Sequence, residues 1–421
     1  MENKLNVIIA GVSHLQKDFN YTMEELAQLV VANNMDVVAD MRQNIDYIVS
    51  GTYFGQGKIK EIKEMAEYKD AQAVVVNDNL TPSQIRNLEK ATQLSFIDRT
   101  ELILQVFANR AKTRQAQVQV EIAQLQYKLP RIHPSGNPLD QQRGASGLAN
   151  RGAGESQLEL DRRAIRKRIT TLKRELQQIN KSLAVQGKQR TDSALPTVAL
   201  VGYTNAGKST TMNGILNLMN DNADKKVFEK DMLFATLDTS VRRIHIPDKE
   251  DFLLSDTVGF VSKLPHNLIE SFQSTLSEAK DADLLIQVVD GSDPHYEEMI
   301  KTTNKTLADI GIANKPIIYA YNKADKKPGF KGPEIDGDNI YYSARDQASI
   351  EALLKLIYDN LFKNYKNIKI FIPFTDGKAT GFVQDNLTIK SQEYNDKGTI
   401  YHLFVNPANA ARMGRYVIDD K

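Results

Sequence analysis

The sequence GYTNAGKS at residues 202–209 constrains the fold of this 421-residue chain more than any other feature. It follows an apolar run at residues 197–201 and precedes residues that favour a helix. A strand, a glycine-bearing turn that ends in Lys-Ser and a helix together form a phosphate-binding loop (P-loop), because backbone N–H groups and the helix N-terminus face the phosphate oxygens. The pattern therefore predicts a nucleotide-binding α/β domain.

Residues of this loop have distinct expected roles. Lys208 should reach the β- and γ-phosphates and assist catalysis, and the Ser209 hydroxyl should ligate Mg²⁺. The backbone of the turn should surround the phosphate oxygens. The nucleotide contacts predicted in this segment are Gly202, Tyr203, Thr204, Asn205, Ala206, Gly207, Lys208, Ser209 and Thr210.

Three further motifs follow in the order expected of an enzyme that uses guanine nucleotides. In DTVG, Asp256 should hold Mg²⁺ through a water and the Gly259 amide should face the γ-phosphate. In NKAD, Asp325 should accept two hydrogen bonds from N1–H and the exocyclic amine of guanine, a donor pair that adenine lacks, so GTP is favoured over ATP. The guanine contacts predicted from NKAD and from the later SAR sequence are Asn322, Lys323, Asp325, Ser343, Ala344 and Arg345.

The sequence FATLDT at residues 234–239 is the candidate for the segment that senses the γ-phosphate. Thr236 should complete the Mg²⁺ shell, with Thr239 as the alternative, and Phe234 should contact the nucleotide. Together with the residues above, this predicts three catalytic residues, Lys208, Thr236 and Gly259, and three metal ligands, Ser209, Thr236 and Asp256.

The remaining patterns predict an α/β fold with several domains. Strand-like and helical runs alternate around the motifs, which predicts a mostly parallel, doubly wound sheet. Earlier in the chain, Thr22 with Glu25 indicates a capping box, and Thr81 before Pro82 indicates a second helix start. The predicted domains are an N-terminal α/β subdomain at 1–109, a helical hairpin at 110–190, a G domain at 194–364 and a small C-terminal α+β domain at 365–421.

The hairpin is predicted from heptads on both sides of a glycine-rich segment, residues 130–154. Apolar residues recur at heptad spacing from Val118 to Leu129 and again from Leu158 to Leu183, which is typical of two helices packed together. A purely structural pair would explain that seam but not the charge. Residues 110–190 contain 17 Lys or Arg against 6 Asp or Glu, a local net charge of +11 in a chain of net charge +1. This imbalance predicts a polyanionic partner.

Composition narrows the remaining function classes. The chain has no cysteine, which excludes disulfides, thiolate catalysis and cysteine-built zinc sites. No stretch approaches the ~20 apolar residues of a membrane span. We expect a cytoplasmic monomer with no stable membrane insertion and no DNA partner.

These motifs together resemble the HflX family of translational GTPases. The resemblance extends beyond the G domain, and the segments that carry it are residues 98–104, 119–131, 152–163, 202–209, 234–239, 256–260, 264–266 and 322–325. It implies hydrolysis of GTP to GDP and phosphate, binding of the large ribosomal subunit and its rRNA, and splitting or rescue of stalled ribosomes. The basic hairpin fits this independently, because Arg and Lys contacts to phosphates dominate RNA binding.

Two positions bear on catalysis. Where Ras-like proteins place a water-orienting glutamine, this chain has Phe260, whose ring makes no hydrogen bond to water, so hydrolysis should be slow alone and stimulated by ribosomes. Asn205 resembles the asparagine with which certain GTPases bind K⁺, and the alternative is an amide that only shapes the loop.

Two other functions stay open at this point. One is a GTP-gated module that binds rRNA or ribosomes, in which hydrolysis only resets affinity. The other is a signalling GTPase with a protein or membrane partner, since anionic lipid would also attract the basic segment.

Overall fold

The computed structural model describes residues 4–14, 18–132, 157–191, 195–219, 234, 240–247, 249–257, 259–263, 278–312 and 315–418. Contacts between residues divide the chain into two compact units. The first contains Met1–Ile179, Lys230–Asp238 and Val258–Thr275, and the second contains Asn180–Glu229, Thr239–Thr257 and Leu276–Lys421. The division into four domains stays a prediction.

The first unit begins with a four-stranded, all-parallel sheet in the order β2-β1-β3-β4. All four residues of β3 are buried, which is typical of a parallel sheet that is covered on both faces. The strands are β1 Leu5–Ser13, β2 Met35–Asn44, β3 Ala73–Val76 and β4 Ser95–Asp98, and the helices are α1 Phe19–Ala32, α2 Gln56–Lys69, α3 Pro82–Thr92 and α4 Arg99–Arg110.

The two predicted helix starts had different outcomes. Thr81 caps α3 as expected, because its side chain accepts a hydrogen bond from the Gln84 amide at 3.2 Å and the Gln84 side chain bonds back to the Thr81 amide. The capping box at Thr22 and Glu25 is wrong. Helix α1 already begins at Phe19, so Thr22 lies within the helix and its hydroxyl donates to the Phe19 carbonyl at 2.9 Å.

Helices α5 Arg114–Lys128 and α6 Gln157–Thr191 form the predicted hairpin. Arg114 bonds to Glu175, and Arg168 bonds to Glu121. As the residue number in α5 rises from 114 to 121, the number of its partner in α6 falls from 175 to 168, so the two helices run antiparallel. The apolar seam between them contains Val118, Ile122, Leu125, Ile169, Leu172, Leu176 and Ile179. Of the predicted glycine-rich tip, residues 130–154, the part from residue 133 onward lies outside the described residues.

The second unit is built on a seven-stranded sheet in the order β10-β11-β9-β8-β5-β7-β6. The pairs β6/β7 and β10/β11 are antiparallel and the other pairs are parallel. The strands are β5 Thr197–Gly202, β6 Ser240–Ile244, β7 Phe252–Asp256, β8 Leu284–Asp290, β9 Ile317–Asn322, β10 Glu334–Asp336 and β11 Asn339–Tyr341, and the helices are α7 Lys208–Leu218, α8 Tyr296–Asp309 and α9 Gln347–Leu361. Because parallel strands end at the same edge, Gly202, Asp256, Asp290 and Asn322 all lie along one edge of this sheet.

The C-terminal part of the second unit is a small α+β element. Its antiparallel sheet has the order β12-β14-β13 and its own core, which includes Ile370, Val383, Tyr401 and Leu403. The elements are β12 Lys366–Pro373, α10 Gly377–Asn386, β13 Thr388–Asn395, β14 Gly398–Val405 and α11 Pro407–Met413. The predicted fold class is confirmed. Within the described ranges, no helix combines the length and the apolar character needed to cross a membrane.

Candidate nucleotide-binding site

The turn between β5 and α7 requires glycine at both of its ends. Gly202 has φ +142°, and a Cβ there would lie 2.2 Å from the Val288 carbonyl oxygen. Gly207 has φ +99°, and a Cβ there would lie 2.1 Å from the Asn322 side-chain nitrogen. Asn205 has φ +61°, a left-handed conformation that asparagine adopts more readily than most residues. Glycine is therefore required at both ends of the turn for two reasons: the backbone has positive φ there, and a neighbouring atom leaves no room for a Cβ.

Lys208 begins α7 and its side chain turns back over the loop. Its ammonium group donates hydrogen bonds to the carbonyl oxygens of Gly202 at 3.1 Å and Tyr203 at 2.9 Å. The side chain is buried, and burial lowers the pKa of Lys208 to about 8, although the nearby Asp256 carboxylate acts in the opposite direction. Two backbone dipoles compensate a buried charge only in part, so an anionic phosphate is the partner that suits this group.

Ser209 and Asp256 fit a magnesium site. The Ser209 hydroxyl donates to Asp256 Oδ2 at 2.7 Å, and Asp256 Oδ1 is buried with no hydrogen-bond partner in the described part of the chain. Burial raises the pKa of Asp256, against the influence of Lys208 and Ser209. A buried carboxylate oxygen without a partner is costly, and a hard cation is the ligand that would satisfy it.

Ser209 and Asp256 are two side chains that the described residues place where a metal could bind. No group of three or more His, Cys, Asp or Glu side chains that could hold a metal ion occurs among the described residues. Magnesium in nucleotide enzymes usually takes only one or two protein side chains and completes its shell with phosphate and water. When bound, it would neutralise developing charge on the phosphate oxygens.

Asn322, the first residue of NKAD, bonds to the P-loop on one side and to the SAR segment on the other. Its side-chain amide donates to the Ala206 carbonyl at 2.9 Å, and its side-chain oxygen accepts from the Ala344 amide at 2.9 Å. Asp325 lies in a single helical turn directly after Lys323 and is exposed. Asn322 thus bonds to both neighbouring loops and holds them at the same edge of the sheet.

Lys323 makes a third connection, which includes a residue that the sequence motifs do not contain. Its ammonium group donates to the Asn205 carbonyl at 2.9 Å and to Asp290 Oδ2 at 2.7 Å. Asp290 is the last residue of β8. A carboxylate at the carboxyl end of a strand, on the same edge as the motifs, is the signal that could have identified it.

The segment that follows DTVG, residues 260–263, has contacts within the first unit. Phe260 and Val261 are buried, and the Arg99 guanidinium donates to the Ser262 hydroxyl at 2.8 Å. That hydroxyl also bonds to the Glu25 carboxylate, which pairs with the fully buried Arg99. Sequence reasoning did not find this network, because its members are far apart in the chain.

The predicted site residues thus divide into three groups. Those of the P-loop, Asp256, NKAD and SAR lie along one edge of the second unit. Phe234 and Gly259 belong to the first unit, where Phe234 packs edge-to-face on Phe107 with ring centroids 4.5 Å apart. Thr236, its alternative Thr239 and residues 264–266 lie outside the described residues. The individual catalytic and binding roles stay predictions.

Comparison with known proteins decides the family. The GTPase HflX of Caldanaerobacter subterraneus subsp. tengcongensis is 38% identical over 397 residues, which cover 94% of this chain and 90% of that protein. This chain belongs to the HflX family of GTPases. The GTPase HflX of Flavobacterium psychrophilum is 43% identical over 336 residues, 79% of this chain and 78% of that protein. A solved GTP-binding protein from Sulfolobus solfataricus, in complex with GDP, aligns with a TM-score of 0.43 at 24% identity over 84% of this chain and 98% of that chain.

Three family models match successive parts of the chain. One described as GTP-binding GTPase N-terminal matches residues 20–108, and one described as GTP-binding GTPase middle region matches residues 110–190. A third, described as 50S ribosome-binding GTPase, matches residues 197–323. As an HflX-family GTPase, the chain binds GTP and hydrolyses it. The predicted family and enzyme class are confirmed.

Proposed function

We propose that this HflX-family chain binds the large ribosomal subunit through its basic hairpin and uses GTP to split or rescue stalled ribosomes in the cytoplasm. The observation that carries the proposal is the charge on the outer face of α6. Arg163, Arg166 and Lys167 are exposed there, on the side of the helix away from the apolar seam. Exposed cations in this number suit a phosphate backbone better than a protein surface of mixed charge.

Other basic residues of the hairpin pair with carboxylates between the two helices, which distinguishes them from the cations on the outer face. Arg114 and Arg168 bond to carboxylates of the facing helix, so they help to hold the hairpin together. The outer cations lie on the face of α6 turned away from these pairs, where a polyanion can reach them. A family description that names the 50S ribosome, matched over residues 197–323, supports rRNA as the polyanion.

Charge reversal tests the contact. Replacement of Arg163, Arg166 and Lys167 by Glu should weaken co-sedimentation with large subunits. The fall of log affinity with log salt should also become shallower, by roughly 2 to 3 in slope. A control with Lys301→Glu, Lys305→Glu and Lys355→Glu changes the net charge equally on exposed positions of α8 and α9 and should bind as wild type. Equal loss in both variants, or none in the first, would remove the hairpin from the proposal. Selective binding of wild type to anionic liposomes instead of subunits would favour a membrane partner.

The role of hydrolysis needs a separate measurement. Large subunits should raise the GTPase rate well above that of the free protein, as expected when Phe260 replaces a water-orienting glutamine. Splitting of ribosomes by the protein with a non-hydrolysable GTP analogue would favour the GTP-gated module, in which hydrolysis only resets affinity. A GTPase rate indifferent to large subunits would contradict the proposed regulation.

The proposal includes two cations at the nucleotide site, Mg²⁺ and K⁺. Ser209 and Asp256 are the described ligands offered to Mg²⁺, and Asn205 is the candidate for K⁺. Replacement of Asn205 by Gly preserves the left-handed backbone at φ +61° and removes the amide. If Asn205 binds K⁺, this variant should lose the difference in GTPase rate between K⁺ and Na⁺ buffers. A difference that persists would leave Asn205 as a residue that only shapes the loop.

A further inference from the structure

Asp290 lies outside every nucleotide-binding motif of the sequence, yet it holds a residue of the guanine-recognition motif. We propose that Asp290 is a positioning residue for guanine recognition, which fixes Lys323 and thereby the place of Asp325 relative to the P-loop. The inference concerns the GTPase site itself and does not depend on the ribosomal proposal.

The Lys323 ammonium is the junction of three loops. It bonds to the Asn205 carbonyl of the P-loop at 2.9 Å and to the Asp290 carboxylate after β8 at 2.7 Å. The side chains of Lys323 and Asp290 are only 20% and 16% exposed, so solvent screens their attraction less than it would on an open surface. A charge-assisted bond of this length therefore fixes the ammonium group in position.

Asp290 is itself held from the other side. Its Oδ1 accepts hydrogen bonds from the Ser292 amide at 3.0 Å and from the Ser292 hydroxyl at 2.6 Å. The Gly291 amide donates to the Asn322 carbonyl at 2.8 Å, next to Lys323. One carboxylate oxygen thus anchors Asp290 to its own loop and leaves the other for Lys323. The contacts with its own loop therefore orient the carboxylate toward Lys323.

The backbone at Lys323 explains why the side chain needs this anchor. Lys323 has φ +61°, a left-handed conformation that lysine rarely adopts. Asp325 follows two residues later and must meet the guanine edge from a fixed direction. If the Lys323 ammonium group loses the Asp290 carboxylate, the backbone at residue 323 can relax to a more common conformation. The Asp325 carboxylate would then no longer point at the guanine edge.

The affinities for GDP, GTP and IDP, measured together with kcat, test this role of Asp290. Asp290→Ala should weaken GDP and GTP binding by roughly 10- to 100-fold, the size expected for a lost hydrogen bond to a charged group, with kcat at saturation within about threefold of wild type. Asp290→Asn has a single acceptor oxygen, which can serve Ser292 or Lys323 but not both, so its affinity should lie between those of wild type and Asp290→Ala. The preference for GDP over IDP, which lacks the exocyclic amine, should fall in the same order.

The control is Asp293→Ala, which removes a carboxylate of the same loop that accepts from the His295 amide. It should bind GDP and IDP as wild type. Thermal unfolding of each nucleotide-free variant shows whether it is folded, and Asp290→Asn carries the test if Asp290→Ala is not. A GDP-to-IDP preference within twofold of wild type in the folded Asp290 variants, even with weaker binding of both, would overturn the proposal, because a merely structural role weakens both nucleotides alike.

Discussion

The Ser209 hydroxyl donates a hydrogen bond to Asp256 Oδ2 at 2.7 Å, while the other oxygen of that buried carboxylate has no partner among the described residues. A hydroxyl that donates in this direction can still offer a lone pair to a cation. Ser209 and Asp256 come from different motifs, and the parallel pairing of β5 with β7 brings them together. The sheet topology, more than either motif alone, therefore brings together the two side chains that we propose as magnesium ligands.

Replacement of Asp256 by Asn should reduce GTP hydrolysis by about 100-fold or more, because an amide adds N–H donors where a cation needs an acceptor. Single-turnover hydrolysis over a magnesium titration measures the effect. Asp281→Asn, at an exposed position of the same unit, is the matched control and should behave as wild type. Wild-type hydrolysis by Asp256→Asn at low magnesium would contradict the assignment of this residue to the metal.

The affinity for GDP should depend on pH through Lys208. Burial lowers the pKa of this lysine to about 8, and phosphate oxygens beside the ammonium group would raise it. Binding must then take up a proton above pH 8, so affinity falls as pH rises, by up to about tenfold per unit. Below pH 7 the lysine is protonated in both states and contributes no pH dependence.

Calorimetry in two buffers of different ionisation enthalpy measures this proton uptake directly. Near pH 8 the apparent enthalpy of GDP binding should differ between the buffers, and at pH 6.5 the contribution of Lys208 should vanish. Lys208→Arg keeps its charge throughout, so any remaining binding should lack the uptake near pH 8. Proton uptake that persists in the arginine variant would assign the effect to another group.

The sequence predicts the P-loop and the β5-to-α7 connection well because their chemistry is local. Gly202, Lys208 and Ser209 lie within one turn, and their spacing after an apolar run is a pattern that the sequence shows by itself. The hairpin was predictable for a similar reason, since Val118 and Leu172 lie in heptads that each helix displays by itself.

Contacts between distant residues were not predictable in this way. Glu25 pairs with Arg99, 74 residues away, and nothing near Thr22 in the sequence distinguishes a buried ion pair from a helix cap. Asp290 was missed because a single acidic residue after an apolar strand has no pattern of its own. Both residues acquire their partners only when the strands are placed in order.

The Glu25–Arg99 pair makes a prediction about stability. Glu25→Ala should destabilise the N-terminal sheet by about 3–5 kcal/mol, because it leaves a buried guanidinium without its counter-charge. Hydrogen exchange of amides in β1 and β3 of the full chain measures the change locally. Glu24→Ala, at the exposed neighbouring position, should change stability by about 0.5 kcal/mol or less.

A double replacement separates the charge effect from packing. Glu25→Leu with Arg99→Met removes both charges and keeps apolar volume, so it should recover much of the protection lost in Glu25→Ala. If the double variant is no more protected than the single one, the loss comes from packing and hydrogen bonds around these side chains instead of the unpaired charge.

Phe260 makes the last prediction, which concerns the missing glutamine. Its side chain is only 2% exposed, so a glutamine placed there would enter a buried apolar environment. Phe260→Gln should therefore lower stability by about 1–3 kcal/mol and leave the GTPase rate of the free protein no higher than that of wild type. Phe260→Leu, an apolar control, should retain the rate of the free protein. A tenfold faster Phe260→Gln variant would show that the side chain at this position reaches the attacking water, and the slow hydrolysis expected of the free protein would then follow from residue 260 alone.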